Sequence, residues 1–321
     1  MSALAVAWRA PAETGLPEAI ARLAVACLHG ELETYPKPGL VSHVDSGSHA
    51  DMDADTFRAS AAALEPAFAD LARAGAAGEP MPALRRIGIA AEAAMRTATG
   101  GVNTHRGAIF GLGLLCAAAG ATRPGPPART DRAPQPTRGR ILEIDRNRNR
   151  DGCETAFAGG PLGALVRSRY AEGILDGPVL LHAPGARARR RHGVGGAPAE
   201  AAAGFPTLYG VGLPALRRGR RLRPQDPEAA RVEACLALIA HLEDTNLLHR
   251  GGPEGYAFAR TEAARFIAEG GVARADWRAR AEALHRRFVD RNLSPGGAAD
   301  LLAMTLFVDA AEGDAAGGEA R

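Results

Sequence analysis

The sequence predicts an all-α protein, a single compact domain of about ten helices with a disordered Pro/Arg-rich insertion. Three observations predict it. Apolar residues recur at three- and four-residue spacing along most of the 321-residue chain. Strand signals shrink to the short run Pro178-Val179-Leu180-Leu181. Alanine and glycine crowd the apolar faces, which allows close helix approach. With 46% hydrophobic and 23% charged residues, the chain has enough apolar mass to bury a core.

Residues 1–15 read as a flexible N-terminus. They have no basic start and no long apolar stretch, so no secretory signal is expected. The first helix aligns Ile20, Leu23, Ala24, Cys27 and Leu28, and Pro36 ends it. Asp51, Asp53 and Asp55 suit the N-cap of a second helix with Phe57, Ala61, Leu64, Phe68 and Leu71 in register. Leu84, Ile87, Ala91, Ala94 and Met95 form a third stripe, closed by Gly100-Gly101. Asn103 or Thr104 can cap a fourth helix carrying Ile109, Leu112, Leu115 and Cys116.

Residues 16–121 are thus an N-terminal helical half. Thr122–Asp151 is rich in Pro, Arg and Asn with almost nothing to bury, and 122–158 reads as a disordered linker or insertion. Residues 159–312 form the C-terminal half of the same domain. Its stripes are Val232, Cys235, Leu236, Ile239 and Leu242, then Trp277, Ala281, Leu284 and Phe288. The last helix opens with Ser294 as N-cap and Pro295 in the first turn, and runs through Leu301, Leu302, Thr305 and Leu306. Residues 313–321 are a flexible tail.

Composition narrows the function. A net charge of +3 is too mild to demand nucleic acid, and the arginine runs lack stacking aromatics. The longest weakly polar run, Gly107 to Gly120, is too short to span a bilayer. Four cysteines without CxxC spacing, three of them on apolar stripes, point to buried free thiols and a cytoplasmic protein. No Walker loop, dinucleotide fingerprint or nucleophile elbow is present. Of the 39 basic residues only Lys37 is a lysine, the compact point charge suited to a tight phosphate site.

Four polar segments sit at expected helix ends, where free backbone N–H groups favour anions. The first holds Glu33, Lys37, Pro38, Gly39, Ser42, Asp45, His49, Asp51 and Asp53. Prolines stiffen the chain around Lys37, and Asp51 with Asp53 can share a hard cation. The second is Asn103-Thr104-His105-Arg106-Gly107 at the start of an apolar helix. The third, Asp244-Thr245-Asn246 through His249-Arg250-Gly251-Gly252, is expected to close an apolar helix. Acids there oppose the dipole, so Glu243 and Asp244 call for a cation, for Arg250, or for an earlier helix end. The fourth, Ser294-Pro295-Gly296-Gly297 with Asp300 a turn later, offers donors that cradle phosphate. A further basic run, Arg187 and Arg189 to Arg191, reads as a solvated face beside the glycines Gly193, Gly195 and Gly196.

Hard-cation acids, helix N-termini and phosphate-binding cations on a helical frame suggest a nucleoside-triphosphate site. The blocks KPGLVS with SHADM, GVNTHRGAIFGLG, RRRHGVGG with EAAAGFPTL, DTNLLHRGG and LSPGGAADLLAMTLF lie in one order along the chain. In that order the sequence resembles the triphosphoribosyl-dephospho-CoA synthases, from about Ala21 to Ala310 outside the insertion. The resemblance implies a transferase that breaks the ribose–adenine bond of ATP. It joins that ribose to the 2′-hydroxyl of 3′-dephospho-CoA, making the prosthetic-group precursor for malonate decarboxylase or citrate lyase. RRRHGVGG on a stand-alone chain leans toward malonate. Partners beyond the two substrates are a downstream phosphoribosyl-dephospho-CoA transferase and the acyl-carrier subunit, met functionally rather than in a stable complex.

On that reading Asp51, Asp53, Asp244 and Asp300 serve Mg²⁺ or the developing oxocarbenium, with Asp244 also catalytic. Lys37, Arg106 and Arg250 take the triphosphate, with backbone help from Gly39, Gly296 and Gly297. Glu33 or Asp45 is the general base. Pro38, Ser42, His49, Asn103, Thr104, His105, Gly107, Asn246 and Ser294 complete the substrate-binding set. The chain departs from the family pattern at Gly196-Ala197-Pro198, where an Arg is usual, at Ala298 for Ser, and at Arg106 for Lys. The rival readings are a helical metal-dependent nucleotide hydrolase and a non-catalytic nucleotide binder.

Overall fold

A computed structural model describes residues 15–122, 160–178 and 183–313. Among them are twelve α-helices, a π-helical segment, a 3₁₀ turn and no strand. The expected insertion beyond Thr122 and the strand hint at 179–181 lie outside the described residues.

Helix α1 (Leu16–Leu32) is followed by the polar loop 33–53. Helices α2 (Ala54–Ala76), α3 (Met81–Ala98) and α4 (Arg106–Thr122) complete the first half. The second half runs through α5 (Pro161–Leu175), α6 (Pro184–His192) and α7 (Gly196–Ala202). After the π segment Leu208–Gly212 come α8 (Leu213–Leu222), α9 (Pro227–His241) and α10 (Thr245–Ala268). The 3₁₀ turn Gly271–Ala273 leads to α11 (Trp277–Val289) and α12 (Gly296–Gly313).

The two halves share one core. Helix α4 packs on α2, α1 and α3 and also receives α12 from the second half. Small residues make this possible: a Cβ at Gly75 of α2 would lie 1.8 Å from the Ala117 carbonyl oxygen of α4. One at Gly120 would lie 2.0 Å from that of Ala72, so the two backbones touch. Cys27, Cys116 and Cys235 are buried free thiols, as expected, while Cys153 lies outside the described residues. No helix of the described residues is long and apolar enough to cross a membrane.

Two helix boundaries differ from expectation, and both bear on the site. Helix α9 stops at His241, and Asp244 does not end it but caps α10. The Asp244 carboxylate therefore sits at a positive helix end. The polar segment 245–252 is the first two turns of α10, which kinks at Gly252 (φ 60°, ψ −165°) before Pro253. Helix α12 starts at Gly296, one residue later than a Ser294 cap implies. The basic run Arg189–Arg191 belongs to the short helix α6.

Candidate active-site cavity

A cavity of about 1120 Å³ lies where α1, α3, α4, α10 and α12 meet. All four polar segments reach it. His49 comes from the 33–53 loop, and Asn103, Thr104, His105, Arg106 and Gly107 from the turn before α4. Asn246 and Arg250 come from α10, and Ser294, Gly296, Gly297 and Asp300 from the start of α12. The N-termini of α4, α10 and α12 converge here, so three positive dipole ends face one space.

Asp244 holds two of these ends together from behind the wall. Its Oδ1 accepts the N–H groups of Asn246 (2.8 Å) and Leu247 (3.3 Å), and its Oδ2 accepts that of Ala298 (3.0 Å). Burial pushes its carboxyl above the usual range, and those backbone donors pull it back. With both oxygens engaged and the residue 1% exposed, Asp244 builds the site rather than lining it.

Asp300 does face the cavity. It sits on the N-terminus of α4, where a Cβ at Gly107 would lie 1.9 Å from its Oδ2 and the Ala108 N–H reaches it. Glycine at 107 is required by that approach. Loss of water, with the nearby charges of Glu31 and Asp244, raises the Asp300 carboxyl well above its ordinary value. His105 also lines the cavity and is 3% exposed, with Nδ1 against Ser60 Oγ at 2.7 Å and Phe57 edge-on at 4.8 Å between centroids. Its Nε2 is buried with no hydrogen-bond partner among the described residues. Burial, reinforced by Lys37, drives its pKa down to about 3, so the ring is neutral.

Lys37 is not displayed to the cavity. Its ammonium is fully buried and ion-paired with Glu31 of α1, which does line the cavity. Burial raises the Glu31 carboxyl and Lys37 opposes the rise. Glu31 extends the apolar stripe of Leu28 by three residues, and a carboxylate in phase with a core stripe is the sequence signal for it. Glu92, paired with Arg106 at 3.2 Å, is a second acid of the wall outside the sequence-based set.

The 33–53 loop forms the rim. His49 Nε2 meets Ser294 Oγ at 2.9 Å and Arg250 Nη1 at 3.5 Å. Ser294 therefore pairs across the loop instead of capping α12. Burial and Arg250 lower the His49 pKa, against the pull of Asp51. Arg250 also holds the Ser48 and Asn292 carbonyls and Asn292 Oδ1, at 2.6 Å for the last. Most of its donors thus clamp the rim.

The remaining sequence-based candidates lie off the cavity. Glu33 and Asp45 are exposed, and Asp45 Oδ2 is 3.3 Å from His285 Nε2. Ser42 Oγ accepts the N–H groups of Val44 (3.2 Å) and Asp45 (3.3 Å) within its own turn. Pro38 and Gly39 are buried in the loop base, Gly39 with φ 69° against the Leu293 carbonyl. Asp53 caps α2, and the N–H and hydroxyl of Thr56 hold its carboxyl below the usual range. Asp51 is exposed beside His49. Asp51, Asp53, Asp244 and Asp300 are therefore spread over separate tasks. Among the described residues no group of three or more His, Cys, Asp or Glu is placed to hold a metal ion.

The chain matches the family model described as ATP:dephospho-CoA triphosphoribosyl transferase over residues 17–318. It is 38% identical over 308 residues to a probable 2-(5''-triphosphoribosyl)-3'-dephosphocoenzyme-A synthase of Pseudomonas putida, covering 94% of this chain and 97% of that one. A protein of the same description from Stutzerimonas stutzeri is 39% identical over 317 residues, 96% of each chain. One from Azotobacter vinelandii is 39% identical over 302 residues, 92% of each. No solved structure matches the chain.

Proposed function

This chain belongs to the ATP:dephospho-CoA triphosphoribosyl transferase family and is a transferase, and we propose that it makes 2'-(5''-triphosphoribosyl)-3'-dephospho-CoA and adenine from ATP and 3'-dephospho-CoA. In this reaction the C1′–N9 bond of ATP breaks and adenine leaves with the bonding electrons and takes up a proton. The 2′-oxygen of the acceptor bonds to C1′ and gives its proton to a base, and the triphosphate stays on the sugar.

The observation that carries the reading is the convergence of four separate polar segments, all inside the family match, on one cavity. Arg106, Asn103, Thr104 and Asn246, with the N–H groups of the three helix starts that Asp244 and Asp300 do not already engage, suit a triphosphate. Positive charge building at C1′ favours carboxylates nearby, the place we give to Asp300 and Glu31. We assign the base to Glu31 in preference to Glu33 or Asp45, because Glu31 alone of the three lines the cavity. Lys37 then acts through Glu31, holding its carboxylate in place.

Among the described residues no acids cluster into a cage for Mg²⁺, and we place that ion with the ATP phosphates. We further propose that the product feeds a phosphoribosyl-dephospho-CoA transferase that loads an acyl-carrier subunit of malonate decarboxylase or citrate lyase.

Incubation with ATP and dephospho-CoA, followed by mass spectrometry, tests the reaction. The expected result is adenine release that requires dephospho-CoA, with an adduct carrying the triphosphoribosyl group. Nucleotide turnover without acceptor, or no adduct at all, overturns it.

A further inference from the structure

The cavity has two chemically different ends. Helix α3 runs along its length, presenting Met81, Leu84, Arg85, Gly88, Ile89 and Glu92 to it at three- and four-residue steps. Eleven residues of helix cover about 16 Å. At one end of that stripe Glu92 pairs with Arg106, beside the three helix N-termini. At the other end the lining turns apolar. Met81 is packed by the last turns of α5, where a Cβ at Gly173 would lie 2.6 Å from the Met81 Cβ, and Arg85 Nη2 donates to the Gly173 carbonyl at 2.7 Å.

Helix α4 repeats the gradient, from Arg106 and Gly107 at the polar end to Leu114 at the apolar one, about 12 Å along. Ile174 and Leu175 of α5 close the apolar end. Two lining residues reach water: Ile89, one turn from Glu92 along the stripe, is 63% exposed, and Leu175 at the apolar end is 62% exposed. Large aliphatic side chains left in water on the rim of a cavity are the kind of surface that a ligand covers.

We propose that this apolar end, between α3 and the last turn of α5, is the subsite for the pantetheine arm of dephospho-CoA. The inference rests on the transferase reading for the identity of the ligand. A phosphate chain has no use for Met81, Leu84, Leu114 and Ile174, whereas the polar end supplies its donors. Dephospho-CoA joins a charged nucleotide to a long arm with geminal methyls and a thiol end, which matches a cavity that is polar at one end and aliphatic at the other. The arm's methyls lie against Leu84 and Leu114, Arg85 borders its amides, and the thiol emerges past Leu175.

Gly88 offers a test that spares the fold. It sits in the middle of α3, and a Cβ built there meets no atom of the described residues within 4 Å. Glycine is also a poor helix former, so Gly88→Phe fills the lobe without weakening α3 through backbone entropy. Leu175→Asp, at an exposed position, is the second variant. Binding of dephospho-CoA and of ATP is measured separately by titration calorimetry on wild type and both variants. The expected result is dephospho-CoA affinity at least tenfold weaker in each variant, with ATP affinity within twofold of wild type. Unchanged dephospho-CoA affinity in both variants, or a parallel loss of ATP affinity, overturns the subsite. Adenine release by the wild type, assayed alongside, judges the reaction separately, since the subsite is decided by binding alone.

Discussion

The Asp244 carboxylate accepts the backbone N–H of Ala298 at 3.0 Å, across 54 residues of sequence, while it caps its own helix through Asn246 and Leu247. One buried acid therefore ties the start of α12 to the start of α10, and with them two walls of the cavity. Asp244→Ala leaves these N–H groups without their acceptor and should lower stability by about 2–4 kcal/mol. Asp244→Asn, which keeps an acceptor oxygen, should lose less. Urea denaturation with an unchanged m-value measures both. A loss below about 0.5 kcal/mol in the alanine variant would show that the double cap is not what holds these helices.

The Glu31–Lys37 pair separates folding from chemistry. Lys37→Met strands a buried carboxylate and should cost about 3–5 kcal/mol, whereas the Glu31→Leu/Lys37→Met double variant should recover most of it. The double variant should nonetheless form no triphosphoribosyl adduct. If it turns over at the wild-type rate, Glu31 is not the base.

His105 sets an acid limit. Its pKa is about 3 in the fold, depressed by burial, against about 6.5 for the exposed ring. The unfolded chain therefore binds more protons in that window. The stability held by the neutral ring is complete above about pH 6.5 and drains as pH falls toward 3, by at most about 1.4 kcal/mol per pH unit. Glu31, Asp244 and Asp300, all raised by burial, slope the other way. The measurement is thus the stability difference between wild type and His105→Asn from pH 4 to 7. It should shift in favour of the variant as pH falls, and a flat difference rules the ring out.

Gly107 and Asp300 should act as a unit. Gly107→Ala places a Cβ where the Asp300 carboxylate lies, and should cost about 1–3 kcal/mol and lower kcat at least tenfold. Adding Asp300→Ala relieves the clash, so Tm should recover while kcat does not. Recovery of both would remove Asp300 from the reaction.

Much of this protein is legible in its sequence because helix periodicity is a local property. The stripes of α1, α2, α4 and α12 bury the residues their spacing marks, such as Leu64, Phe68, Leu112 and Leu302. Ala94 is the exception, an exposed residue counted in the α3 stripe. The polar segments were visible as departures from that period. Which of their side chains reach the cavity was not. Lys37 looked like a phosphate ligand because it is the only lysine, yet its partner Glu31 is a neighbour in space that the loop geometry supplies. Asp244 looked like an acid at a helix end, and it is one, but at the start of α10 rather than the end of α9. The short link Leu242–Glu243 hides that boundary, since its apolar residue continues the α9 stripe.

Composition and period alone determined that the chain is helical, that its faces are small enough for α2 and α4 to touch, and that polar segments sit at helix ends. These follow from rules that act within a few residues. Only the tertiary structure decided which helix ends meet, that Asp244 and Lys37 stand behind the wall while Glu31 and Asp300 line it, and that the cavity changes from polar to aliphatic along α3. Desolvation and pairing are properties of neighbours distant in sequence, and no local pattern carries them.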